Sequence, residues 1–206
     1  MTVDSLRTPA VLVDKRKALR NLDRMQEKAN ARGIRLRPHS KTHKSPLVAQ
    51  WQIERGAVGI CCAKLGEAEV FAANGIEQIL MTTANVSPGK IRRAMALRAR
   101  HPQFIQAVDH LQNARDLNDA AKAAGIVADV VVEVAIGTRS GVPVGDQAMA
   151  LAQLVDTLPH LELRGLISYD GGAQHIKGFQ GASRTDAEAF RALGGDVRAD
   201  EARRAG

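Results

Sequence analysis

Little in this chain is aromatic, sulfur-bearing or continuously apolar. Aromatic residues make up 3% of its 206 residues, too few for the stacked basic and aromatic surfaces that hold single-stranded nucleic acid. Cysteine occurs only at Cys61 and Cys62. Sequence neighbours rarely bond to each other and cannot alone complete a four-ligand zinc site, which excludes a disulfide framework and a zinc finger. The pair reads as small buried residues of a reducing cytoplasm, the expected location of the protein. No apolar run reaches the ~18 residues that cross a bilayer as a helix, so no membrane partner is expected. Met1–Ser5 shows no charged stretch followed by an apolar one, and no signal peptide is read there. A Gly-x-Gly-x-x-Gly phosphate loop is also lacking, which argues against a doubly wound dinucleotide fold. The net charge is +7, but the cations are scattered along helical faces. They read as solvated surface, and no nucleic-acid partner is expected.

What is present is alternation. Hydrophobic residues, 45% of the chain, suffice for one domain with a core. Residues 8–13 read as a short strand. Asp14 caps a helix whose stripe is Leu19, Leu22, Met25 and Ala29, stopped at Gly33. Residues 34–41 read as a strand, and Ser45-Pro46 opens a helix ended by Gly56. Further strands are expected at 58–63, 78–82, 104–108, 129–136 and 163–168. Helices fall between them, with Asp109 and Asp146 as candidate caps for the last two. Strand alternating with helix predicts parallel β/α units. The predicted fold is an incomplete (β/α)8 TIM-type barrel of about six units, since closure typically takes ~250 residues. Residues 1–180 are expected to form this truncated barrel domain. Residues 181–206 hold seven Ala, five Arg and four Gly, with Phe190, Leu193 and Val197 as the large apolar residues. They read as a polar tail, disordered or weakly helical.

The most unusual stretch is Arg37-Pro38-His39-Ser40-Lys41-Thr42-His43-Lys44-Ser45-Pro46. In a strand, Arg37, His39, Lys41 and His43 would share one face. A lysine desolvated among cations loses proton affinity, and a neutral amine can form a Schiff base with a carbonyl. The alternative is a basic surface turn. Barrel enzymes gather function at the C-terminal ends of their strands. Lys41 falls there, as do Gly137-Thr138-Arg139-Ser140-Gly141 and Tyr169-Asp170-Gly171-Gly172-Ala173-Gln174-His175. An imine lysine, an arginine near a phenolic oxygen and a flat ring are what a pyridoxal cofactor requires.

Three stretches make the reading specific. They are Arg37–Lys44, Cys62-Ala63-Lys64-Leu65-Gly66-Glu67-Ala68-Glu69 and Ser168–His175. From about Thr8 to Phe179 the chain resembles the D-threonine aldolase / D-serine dehydratase family. These are fold-type III pyridoxal-phosphate enzymes, whose barrel domain resembles that of alanine racemase. The resemblance implies a lyase acting on D-3-hydroxy amino acids, splitting D-threonine into glycine and acetaldehyde. The alternatives are D-serine dehydratase and a non-catalytic pyridoxal-phosphate binder or inactive fragment. It implies pyridoxal 5'-phosphate as cofactor and Lys41, not Lys44, as the lysine that bonds it. Lys41 and His39 are the candidate catalytic residues. Lys41, Arg139, Tyr169, Gln174 and His175 are the candidate cofactor-binding residues. The full-length family also has a glycine-rich phosphate loop and a small β domain holding a divalent metal through a His paired with Cys or Asp. No His or Cys follows His175, so no metal ligands are assigned. The chain is expected to be the N-terminal portion of a family member, diverging after about Phe179. The expected partners are a small D-amino acid and a second copy in a homodimer.

Overall fold

The computed structural model describes residues 2–136, 140–172 and 175–177. The described residues form six α-helices and six β-strands: α1 Lys15–Asn30, α2 Pro46–Glu54, β1 Ile60–Cys62, α3 Leu65–Ala73, β2 Ile79–Met81, α4 Pro88–Arg100, β3 Ile105–Val108, α5 Leu111–Ala123, β4 Ala128–Ala135, β5 Val142–Pro143, α6 Asp146–Thr157 and β6 Leu161–Ser168. Every strand pairing is parallel. The sheet runs β1-β2-β3-β4, with β6 on the free side of β4. β5 pairs with Val134 and Ala135 beyond the end of β3. This is the expected barrel sheet, with helices packed on its outer face.

Strand parity divides the two faces. Ile60, Cys62, Ile79, Met81, Val108, Val130, Val132 and Val134 pack in one core cluster with α3 to α6, through Phe71, Met95, Leu117 and Leu151. β4 has the longest buried run: six of its eight residues are buried, which explains its near-continuous apolar run. The alternate residues of β4, Val131 and Glu133, are buried as well. They face the barrel interior.

Two predicted strands are corrected. Residues 8–13 form no strand, and Val11 is 95% exposed. Three apolar residues without a neighbouring ladder cannot bury a face. Residues 34–41 carry only an isolated bridge between His39 and Cys61. The backbone is extended enough for Leu36 O to accept from Val58 N and Pro38 O from Cys61 N. Pro38 has no N–H to return, and a 3₁₀ turn at Ser40–Thr42 then bends the chain off the sheet. The lane survives and the parity beyond His39 does not. Its neighbour Gly59 has φ +136°, and a Cβ there would collide with Gln78 O. Glycine therefore lets β1 begin close against the next lane.

Helix signals fare better. Asp14 accepts from Lys17 N, and Ser45 Oγ accepts from Val48 N. Two caps differ from expectation: His110, not Asp109, caps α5, and Gly145, not Asp146, precedes α6. In α1 Gln26 is buried where Met25 was expected, and Met25 is exposed.

Candidate active site

Three chain segments meet at the C-terminal rim. The first is the 3₁₀ turn that follows the 36–39 lane. Ser40 is fully buried, with its Oγ 3.5 Å from Cys62 Sγ. Its carbonyl accepts the N–H groups of both His43 and Lys44. This anchor turns Lys41 outward, so the lysine is exposed at the rim rather than buried on an inward face. Lys41 Nζ stands 5.0 Å from the centroid of the Tyr169 ring, just after β6. An ammonium over an exposed aromatic face gains roughly 0.5–1 kcal/mol.

Lys44 is directed elsewhere. It has φ +48°, and its Nζ lies 3.7 Å from Glu67 Oε1. Glu67 Oε2 also accepts the N–H groups of Ala63 and Lys64 at the start of α3. His43 turns away from Lys41 and packs edge-on to Phe71, centroids 6.4 Å apart. Arg37 Nη1 reaches Gln78 O. Of the four residues expected on one face, Arg37 and His43 thus leave for other surroundings, while His39 and Lys41 stay together at the rim.

Lys41 and Tyr169 border a cleft of about 270 Å³, shared with His39, Thr82, Glu133 and Ser140. Glu133 is 6% exposed, and its Oε1 accepts from Ser140 Oγ at 2.6 Å. Gly141 makes that approach feasible. It has φ +101°, and a Cβ would stand 2.7 Å from the carbonyl carbon of Val134. On the opposite wall His39 Nδ1 accepts the backbone N–H of Lys41 at 3.1 Å. Burial lowers the His39 pKa below its ordinary 6.5, Lys41 lowers it further, and Glu67 opposes them.

The structure therefore brings Lys41, His39 and Tyr169 together. His175 is exposed and does not line the cleft; its N–H donates to Gly172 O. Arg139, Gln174 and the 181–206 stretch lie outside the described residues. Sequence reasoning missed Thr82 and Glu133, and gave Ser140 no role although it lies in the Gly137–Gly141 rim stretch. Glu133 carried a signal: it is the sole charge in Val130-Val131-Val132-Glu133-Val134. An acid inside a strand buried on both faces needs a polar partner. Among the described residues, no group of three or more His, Cys, Asp or Glu could hold a metal ion.

Parallel β/α lanes with a lysine, a tyrosine and a carboxylate on the C-terminal rim give the layout of a β/α-barrel domain with a candidate site at that rim. The chain belongs to the alanine racemase N-terminal domain family, whose pattern matches residues 13–205. It is 38% identical over 171 residues to a D-threonine aldolase of Arthrobacter sp., covering 82% of this chain and 45% of that protein. It is 35% identical over 207 residues to D-threo-3-hydroxyaspartate dehydratase of Delftia sp. strain HT23, covering 99% of this chain and 53% of that one. The crystal structure of D-threonine aldolase from Filomicrobium marinum superposes with a TM-score of 0.90 at 37% identity, covering 93% and 52% of the two chains. The chain thus spans about half the length of the curated relatives it matches. Pyridoxal phosphate is the cofactor expected of this family.

Proposed function

We propose that this chain carries the cofactor-bonding part of a pyridoxal-phosphate lyase acting on D-3-hydroxy amino acids, with D-threonine aldolase activity. The observation that carries the reading is Lys41 held above the Tyr169 ring in a rim cleft. A pyridoxal aldehyde needs an amine to bond, and a flat ring needs an aromatic or apolar wall. The cleft offers Lys41 for the first and Tyr169 with Ile167 for the second. The residues present fit the group. When bound, the cofactor supplies an electron sink for cleavage at the amino-acid α-carbon. Lys41 would bond the aldehyde carbon, Tyr169 would support the ring, and Arg139 is proposed near the phenolic oxygen. Lys44, turned toward Glu67, is left out of the site.

The likeness to D-threonine aldolases supports aldol cleavage of D-threonine to glycine and acetaldehyde. Dehydration is the second reading, favoured by the match to a hydroxyaspartate dehydratase over nearly the whole chain. Both begin with the same lysine and differ in products, an aldehyde with glycine against ammonia with an oxo acid. A divalent metal, expected of the full-length family, is proposed as a further requirement for turnover of D-threonine. The test is direct. Adding pyridoxal phosphate to the chain should produce a visible imine band, lost in Lys41→Ala and kept in Lys44→Ala. Loss in Lys44→Ala with retention in Lys41→Ala would overturn the assignment.

A further inference from the structure

Both ring nitrogens of His39 are engaged. Nδ1 accepts the N–H of Lys41 at 3.1 Å. Nε2 lies 3.4 Å from Thr82 Oγ1, and that hydroxyl lies 3.2 Å from Cys62 O. A nitrogen that accepts carries no proton, so this network assigns the hydrogen of the neutral ring to Nε2. Nε2–H then donates to Thr82 Oγ1, which donates to Cys62 O. The bond from the amide two residues on has the form of an Asx-turn, with imidazole replacing the asparagine oxygen. His43 Nδ1 does the same with Ser45 N at 3.0 Å, and His110 Nδ1 with Gln112 N at 3.1 Å. At His39 the turn so closed is the one that presents Lys41.

We infer that His39 is a positioning residue: its Nε2–H form pins the Lys41 turn, and a proton on Nδ1 releases it. The inference rests on the reading of Lys41 as the cofactor lysine. A protonated Nδ1 would set one N–H against another, and the turn would lose its side-chain anchor. The charged groups acting on the ring are Lys41 beside it and Glu67 from α3. Cys61, the bridge partner of His39 on β1, Glu133 from β4 and Tyr169 after β6 line the same cleft. Burial and Lys41 both favour the neutral ring, and Glu67 opposes them. At neutral pH the pin is therefore closed.

The experiment has two arms. Long-range proton–nitrogen NMR on the isotope-labelled chain should show Nδ1 unprotonated and Nε2 protonated near neutral pH. The Lys41 amide resonance should move with the same midpoint as the His39 ring, below 6.5. An Nδ1–H tautomer, or a Lys41 amide that stays fixed while His39 titrates, overturns the inference. The second arm traps pyridoxal phosphate on Lys41 with borohydride. His39→Asn, which keeps an acceptor for the amide but cannot titrate and loses the Thr82 contact, should trap less than the wild type and more than His39→Ala near neutral pH. In acid it should trap better than the wild type. His39→Ala should trap about fivefold less, the scale of one lost hydrogen bond. Equal trapping by the two variants overturns the inference. If the wild type traps no cofactor, the proposed function fails, and the NMR arm still decides the role of His39. If the variants do not fold, the wild-type spectra decide it alone.

Discussion

Burial pushes the thiols of Cys61 and Cys62 up to about 11 from an ordinary 9.0, despite Arg37 near the first and a hydrogen bond from Ser40 to the second. Both are protonated at neutral pH and neither is a nucleophile, although Cys61 borders the cleft. Alkylation of the folded chain in mildly alkaline buffer should run roughly 100-fold slower than in denaturant, following the thiolate fraction. Comparable rates in both states would contradict the burial of the pair. The histidines add a pH dependence. Burial lowers His39 and His43 below 6.5, so the unfolded chain binds more protons in that range. Stability should be level above 6.5 and fall as pH drops through the lowered folded values. Urea midpoints measured across this window would show it. A midpoint that rises on acidification would show that the two rings are not held neutral.

At the scale of elements, the joints between helices and strands carry the fold. Arg98, in the last turn of α4, donates to Val127 O, Phe104 O and Pro102 O. It also meets Asp129 Oδ1 at 2.9 Å, with both side chains 14% exposed. This one guanidinium ties the end of α4 to the starts of β3 and β4. Arg98→Ala should cost about 1.5–3 kcal/mol, the range for hydrogen bonds to a charged group. Chemical denaturation checks it, and a loss below about 0.5 kcal/mol would make the residue ordinary surface. Elements with a local cause could be read from sequence: Asp14 and Ser45-Pro46 mark helix starts, and the β4 run marks a strand enclosed on both faces. Where tertiary contacts decide, the pattern misleads. Pro38 cannot complete a ladder, so 34–41 becomes one bridge and a turn. Val11, Leu12 and Val13 have the composition of a strand but no ladder. Imidazoles are rare enough as caps that Asp109 looked the better candidate beside His110.

On the scale of the whole chain, the described residues form a parallel sheet wrapped outside by helices, with the proposed site on one rim. The motif points to Lys41 as the proposed reactive lysine, and the geometry gives that proposal a different physical setting from the one the sequence suggests. The residue is exposed and placed by a turn pinned at Ser40 and His39, not desolvated within a strand. Tyr169 meets it across the lanes because β6 ends on the same rim. Thr82, which approaches His39, has a sequence neighbourhood like that of many surface residues, so only the fold reveals it. No helix among the described residues is long and apolar enough to cross a membrane. The central claim is that Lys41 bonds a pyridoxal cofactor. Its most direct test is peptide mapping of the chain after incubation with pyridoxal phosphate and reduction with borohydride. The account predicts one pyridoxyl group per chain, on Lys41, with Lys44 unmodified. Modification mainly at Lys44, or spread evenly over surface lysines, would contradict it.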